Sequence, residues 1–367
     1  MKRRQAVLVV GAGFAGAIVA ERLAAAGHDV VVFEERTHLA GNAFDERDAH
    51  GVLVHRYGPH IFHTGSAAVV DYLSRFTAWR PYVHRVLARL PDGRLAPLPI
   101  NRTTLGMVTG QALEDDQAAA VLLERLREPH PGRRTSEEVV LDSVGRQLYE
   151  LFFRGYTRKQ WGRDPADLDP SVTSRIPTRT STDDRYFSDA HQAMPADGFT
   201  PLFERLLHHP RIRVELGRRF NPATDRNGWS HLVYTGPIDL FFGHRLGRLP
   251  YRSLRFEHQH LPDTAWFQPV GVVNEPAPDV PFTRTTEFKH LTGQIHSGTS
   301  IVREYPQDDG EPYYPVPAFE AKALHARYAA LAEAETGVSF VGRLAQYRYL
   351  NMDQAAAAAL ALARTLT

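Results

Sequence analysis

Three glycines, Gly11-x-Gly13-x-x-Gly16, stand between an apolar, β-branched run (residues 6–10) and a helical run. A second β-branched run, "DVVVF" (29–33), is followed by Glu34 and Glu35. These residue types at this spacing suit one task, the binding of a dinucleotide. Gly11 permits the tight turn, Gly13 lets the backbone approach a pyrophosphate, and Gly16 lets helix and strand pack closely. The helix opens at Phe14 and turns its unpaired N–H groups toward the phosphates. Glu34 stands near the offset at which a carboxylate takes a ribose hydroxyl. Farther on, "LAGNAFDE" (39–46) offers Gly41 and Asn42 for a second close backbone approach. That extra loop favours FAD over NAD.

Other chemistry is narrowed by what the chain lacks. It has no cysteine, so disulfides, thiolate catalysis and zinc–thiolate sites are excluded. His60 and His63 in "YGPHIFHT" (57–64) could pair on a helix. Pro59 and the β-branched Ile61 favour a loop or strand instead, and the motif has no acidic third ligand. No metal is expected. Net charge is +1, so a broad basic field for nucleic acid is not expected either.

The elements that must position these groups read as follows. Strand 6–10, helix 14–26 stopped by Gly27, and strand 29–33 form a βαβ unit with a right-handed crossover. The middle is helical. "QALEDDQAAAVLLERLRE" (111–128) has helical spacing. A second run, 135–161, starts with Thr135-x-x-Glu138, a capping-box pattern. Val140, Val144, Leu148, Leu151 and Phe152 form its apolar face. From about 228 to 315 the chain turns strand-like: "HLVYTG", "RSLRFEHQHL", "AWFQPVGVVN", "FTRTTEFKHL" and "TSIVREY". The last helix follows "YLNMDQ", where Asn351 and Gln354 make an N-cap and its partner. If that N-terminus points at a flavin pyrimidine, its partial positive charge stabilises the anionic reduced form.

At 367 residues the chain suggests two or three domains. The fold expected is α/β, a Rossmann-like FAD-binding domain with an inserted helical bundle and an antiparallel β-sheet domain. The boundaries expected are 1–75, 196–242 and 316–367 for the discontinuous FAD domain, and 102–174 for the helices. The sheet takes 76–101, 175–195 and 243–315, with a mobile lid near 170–187. "MKRR" before an apolar run imitates a secretion leader. The glycines and the following Glu21 and Arg22 assign the run to strand and helix instead. No segment has the roughly 18 apolar residues of a membrane helix, and a cytoplasmic location is expected.

Eight strings together resemble one family, the UDP-galactopyranose mutases. They are "YGPHIFHT", "LPINRTTL" (98–105), "YTRKQWG" (156–162), "RIPTRTSTDDRYF" (175–187), "YTGPIDLFFGHRLGRLPYRSLRFE" (234–257), "FTRTTEFKH" (282–290), "EPYYPV" (311–316) and "GRLAQYRYLNM" (342–352). They run in order over nearly the whole chain. The resemblance implies an FAD enzyme that interconverts UDP-galactopyranose and UDP-galactofuranose. Reduced flavin N5 would attack the anomeric carbon with no net redox, after activation by NADPH or another reductant. It also implies a homodimer and a part in cell-wall polysaccharide synthesis.

Residue by residue, the resemblance assigns Arg175 and Arg284 to the departing diphosphate, where guanidinium forks suit phosphate oxygens. Tyr156, Thr157 and Trp161 match the uridine pocket, with Phe152 and Asn274. Phe152 also continues the apolar face, so a purely core role stays open. Tyr186, Tyr314 and Tyr349 match tyrosines lining diphosphate and sugar. Tyr313 and Tyr314 would point to opposite faces of a strand, and Tyr314 is chosen for the phosphate. His60 and His63 become flavin-side and sugar-side groups. Arg343, Tyr349, Asn351 and Met352 join the glycines on the cofactor.

Three positions depart from the family pattern. His84 stands where asparagine is frequent, Asn351 where aspartate is frequent, and Ala40 where glycine is usual. His84 and Asn351 are expected near the sugar, so sugar identity stays open between UDP-galactose, UDP-N-acetylgalactosamine and TDP-fucopyranose. A flavin oxidase or desaturase would share residues 7–42 but has no need of Arg175, Arg284 or the uridine pocket. A nucleotide-sugar or flavin sensor would bind without turnover.

Overall fold

Val7–Val10 is apolar throughout because both its faces are covered. Val7 and Val9 enter one core with Ile18 and Phe203, whereas Leu8 and Val10 enter another with Phe241 and Tyr328. Val30–Glu34 divides in the same way, Val30 and Val32 to the first core and Val31 and Phe33 to the second. The structure is a computed structural model that describes residues 6–367. The basic start Met1–Arg4 lies outside them.

Five strands form an all-parallel sheet in the order Ile212–Leu216, Val30–Glu34, Val7–Val10, His231–Tyr234 and Val338–Phe340. Helix Phe14–Ala25 connects the first two strands of the chain and stops before Gly27, whose φ of 93° only glycine takes easily. The last helix, Met352–Leu366, lies against it. The two ends of the chain therefore share one layer. The fold class read from the sequence is the one found.

The helical region departs from the expected plan. Helix Arg102–Thr109, capped by Asn101, opens the stretch 102–174 that was assigned to the helices, ahead of the two runs singled out above. The run expected at 111–128 is helical over Asp116–Leu126, because the Asp115 side chain caps it. The second run starts as expected, with Thr135 Oγ1 accepting from Glu138 N at 3.2 Å. Glu138 reaches back to Arg134 N rather than to Thr135 N, so only half of the capping box forms. The run is not one helix. Ser136–Leu148 bends at Gly145 (φ 77°, ψ 176°), Tyr149–Arg154 is a π-helical turn, and Gly155–Trp161 resumes as α-helix. A Cβ at Gly145 would stand 1.9 Å from Leu126 O, so the neighbouring helix end forces the break. The apolar face survives: Val140, Val144, Leu148 and Phe152 pack with Leu98 and Val272, and Leu151 packs beside them.

The large sheet has seven strands, ordered Tyr314–Pro315, Tyr251–Leu261, Thr299–Gln307, Arg284–Glu287, Val272–Asn274, Val86–Arg89 and Leu95–Leu98. It was expected to be antiparallel, and it is except where Val272–Asn274 runs parallel to Val86–Arg89. Val86–Arg89 belongs to a hairpin with Leu95–Leu98, far upstream, so no tight turn dictates its direction against residue 272. Two strand-like runs are shorter than they read. Pro269 delays one strand to Val272, and "FKHLT" leaves the other as a helical turn. A small sheet of Phe62–Thr64, His191–Pro195 and Trp79–Pro81 supports His63.

Candidate active site

Two cavities meet at one residue. The larger, about 1030 Å³, is a groove lined by Gly11, Gly13, Gly16, Glu34, Glu35, Gly41, Asn42 and Arg343. The glycines are spatially required. A Cβ on Gly16 would stand 1.9 Å from Gly11 O, and one on Gly41 would stand 3.1 Å from Gly13 Cα. No side chain caps the helix, whose first internal bond runs from Ala17 N to Gly13 O, so its first-turn amides are left for a ligand. Glu34 latches the turn: its carboxylate accepts from Ala12 N at 2.7 Å and Arg36 N at 2.9 Å. Each oxygen keeps a further lone pair. Glu35 sits 3.8 Å from Arg219. The Phe14 ring packs edge-on against Phe199 and Phe203, because a helix at this angle turns its first side chain inward. Only the Phe14 backbone can serve a cofactor. The groove's length, glycine cradle and free amides fit a dinucleotide.

The second cavity, about 410 Å³, takes walls from several separate stretches. Loop and strand 59–63 bring His60 and His63. The π-turn and following helix bring Phe152, Tyr156, Thr157 and Trp161. The large sheet brings Asn274, Arg284 and Tyr314, the segment leading into its strand Val86–Arg89 brings His84, and the segment before strand His191–Pro195 brings Arg175 and Tyr186. The chain's end closes it with Arg343, Tyr349, Asn351 and Met352. Arg343 lines both spaces. Phe152 is at once wall and core, buried in the helical cluster. Tyr313 faces away, against Tyr57 and Phe256, with its hydroxyl donating to Glu311.

Three cations surround a tyrosine pair. Tyr314 and Tyr349 stack at 5.3 Å, with Trp161 edge-on to both. The Arg175 guanidinium lies 4.1 Å over the Tyr349 ring, and that of Arg343 lies 5.3 Å from each ring. Arg343 is fixed by the Leu350 carbonyl at 2.7 Å. Burial raises the Tyr349 pKa, but Arg175, Arg343 and Arg284 outweigh it and bring it down to about 8. Burial and the Tyr349 charge push Tyr314 up. Arg284 pairs with Glu304 on the adjacent strand, Nε to Oε2 at 3.2 Å. Burial opposes the Arg284 charge, but Glu304 and the facing tyrosines hold it firmly protonated.

Glu304 was missed by the sequence reading. Strand alternation puts it on the face of Val302, and a carboxylate on an apolar face calls for a buried cation.

The histidines divide by environment. Burial lowers His60 and His84 to about 3, so both are neutral at pH 7. His60 Nδ1 meets Gly58 O at 3.0 Å, and His84 Nδ1 meets the Tyr82 hydroxyl at 3.1 Å. His63 stacks on Phe187 at 3.6 Å and meets Asp189 at 2.8 Å. That acid lies 126 residues away, beyond the reach of motif reading. Among the described residues, no cluster of three or more His, Asp or Glu could hold a metal ion. Asn351 precedes the last helix, and Gln354 Oε1 accepts from its N–H at 3.0 Å.

Lys159, on the helix of Tyr156 and Trp161, is buried among backbone carbonyls. Burial brings its pKa down to about 8 against the opposing pull of Glu275 and Asp279.

Comparison with known proteins gives two family matches. A model described as UDP-galactopyranose mutase matches residues 151–349, and one described as NAD(P)-binding Rossmann-like domain matches residues 9–76. A Klebsiella pneumoniae protein named probable UDP-galactopyranose mutase is 40% identical over 96% of this chain and 92% of its own length. The dTDP-fucopyranose mutase of Escherichia coli is 38% identical, over 95% and 94%. A solved structure of reduced UDP-galactopyranose mutase superposes with a TM-score of 0.78 at 16% identity, covering 99% of this chain and 95% of that one.

Proposed function

The chain belongs to the UDP-galactopyranose mutase family, and from that premise we propose that it interconverts UDP-galactopyranose and UDP-galactofuranose with a bound flavin. The observation that carries this reading is the cation set, Arg175, Arg284 and Arg343, around Tyr314 and Tyr349 in a cavity joined to a dinucleotide groove. Three guanidinium groups suit a diphosphate that gains charge as it departs.

We assign FAD to the groove: the glycine turn and Gly41–Asn42 take the pyrophosphate, and Glu34 takes the ribose. When bound, reduced flavin would supply a nucleophilic nitrogen, N5, to the anomeric carbon as the bond to the diphosphate breaks, and the reverse exchange would return it still reduced. The protein's own residues do the rest. Arg175 and Arg284 hold the leaving diphosphate close enough to return. Tyr314 and Tyr349 donate to its oxygens. His60 on the flavin side and His84 on the sugar side are neutral through burial, and each offers hydrogen bonds as an uncharged imidazole. Tyr156, Thr157, Trp161, Asn274 and Phe152 enclose the uridine. The proposal extends to a cytoplasmic homodimer kept reduced by NADPH or a similar donor.

The test is direct. Dithionite-reduced protein incubated with UDP-galactofuranose yields UDP-galactopyranose by chromatography, and the oxidised protein is silent. Reduced protein that binds UDP and isomerises no nucleotide sugar overturns the reading. TDP-fucopyranose is the second candidate, left open by His84 in the wall and favoured by the similarity to the E. coli enzyme. Running it in parallel decides the sugar.

Tyr349 gives a second expectation. Below pH 8 the hydroxyl is neutral and donates. Above pH 8 the phenolate occupies the arginines and repels the diphosphate. UDP affinity therefore falls as pH rises past 8, by up to about tenfold per pH unit if only the neutral form binds. Tyr349→Phe flattens this step, and a step that survives in the variant assigns it elsewhere.

A further inference from the structure

Lys159 belongs to the "YTRKQWG" motif, but it does not line the cavity that its neighbours line. Its Nζ bonds instead to four backbone carbonyls of one loop: Glu275, Ala277 at 2.8 Å, Val280 at 2.9 Å and Phe282 at 3.1 Å. An ammonium has three protons for four acceptors, so one proton is shared and the loop curls around the charge. That loop joins Val272–Asn274 to Arg284–Glu287, so its ends carry Asn274 and Arg284. Four residues before Lys159, on the same helix face, Gly155 lies so close that a Cβ would stand 2.3 Å from Pro276 O. Helix and loop thus touch backbone to backbone, with the ammonium as the fastening. Arg252 secures the far side of the helix, donating to Gln160 O at 3.0 Å and Lys159 O at 3.1 Å.

We propose that Lys159 is a positioning residue for the nucleotide end of the site: its ammonium, seated in a cage of backbone carbonyls, locks the wall of Tyr156, Thr157 and Trp161 to the wall of Asn274 and Arg284. This rests on the reading that a nucleotide lies between those walls. An arginine cannot replace the ammonium, because a planar fork does not fit a closed ring of carbonyls. A methionine fills the space and leaves the buried carbonyls without their shared donor.

The experiment measures UDP binding at pH 7, where the ammonium form prevails, together with turnover by the reduced holoenzyme. Lys159→Met raises the Kd for UDP by at least about tenfold, with flavin content unchanged and kcat at saturating substrate within about twofold. In Lys159→Ala, which leaves room for a cation, ammonium chloride recovers part of the affinity and sodium chloride at equal ionic strength does not. A Kd equal to that of the native protein, or a kcat that falls as far as the Kd rises, overturns the proposal. Hydrogen exchange on the native protein provides a test without substitution. UDP should slow exchange through 275–283, none of which lines the cavity, and unchanged exchange there also overturns the proposal. Failure of the native protein to bind UDP would instead overturn the functional reading beneath it.

Discussion

Arg284→Ala lowers kcat/KM of the reduced enzyme by at least about a thousandfold. Two losses follow. The diphosphate loses a guanidinium that acts most strongly as charge builds on it, and donors of that kind are worth about 3–4 kcal/mol. At the same time Glu304, only 1% exposed, loses its partner. Breaking a buried pair from one side costs about 3–5 kcal/mol, because the other charge stays behind. Each 1.4 kcal/mol is a factor of ten in rate, so the first loss alone approaches the stated effect, while the second falls on stability. The double variant Arg284→Ala/Glu304→Gln separates them. Removing the stranded carboxylate restores thermal stability and leaves turnover absent. An Arg284→Ala enzyme within tenfold of native turnover would remove Arg284 from the reaction.

Gly145→Ala lowers the melting temperature by at least about 5 °C. The pair φ 77°, ψ 176° is a region open essentially to glycine alone, at a cost of about 1–3 kcal/mol for any other residue. The added methyl would also stand 1.9 Å from Leu126 O and 2.6 Å from its carbonyl carbon. Backbone cannot rotate away as a side chain would, so the helical layer must shift. Gly51→Ala is the control. Its φ is 84°, but nothing lies within 4 Å of the added carbon. It bears the conformational cost alone and should lose clearly less. Melting curves followed by flavin fluorescence decide, and equal losses in the two variants would exclude the clash.

Those two positions show what the sequence could and could not reveal. The glycine turn was legible because its strand, helix and carboxylate lie within 30 residues and obey local rules. Asn351 and Gln354 were legible for the same reason. Gly145 was not, because its demand comes from Leu126, on another helix, and the apolar periodicity runs through the break undisturbed. The identities of many cavity residues could be proposed from family likeness, but their supports could not. Glu304 under Arg284, Tyr186 and Phe187 against His84, and Phe187 with Asp189 around His63 are all contacts between separate stretches. The parallel pairing of Val272–Asn274 with Val86–Arg89 was hidden likewise, since no turn connects the two.

Arg343 has a consequence for how such a protein can diversify. It is shared by both cavities, and its guanidinium is tied to the backbone of residue 350. A change along 343–352 is therefore felt by the groove and the smaller cavity together, and new preferences arising there would be penalised twice. The opposite wall, where His84 meets Tyr186 and Phe187, touches the groove nowhere. It is the side on which a lineage, or a designer, can reshape the smaller cavity while the groove stays intact. His84, one of the departures from the family pattern, already stands there.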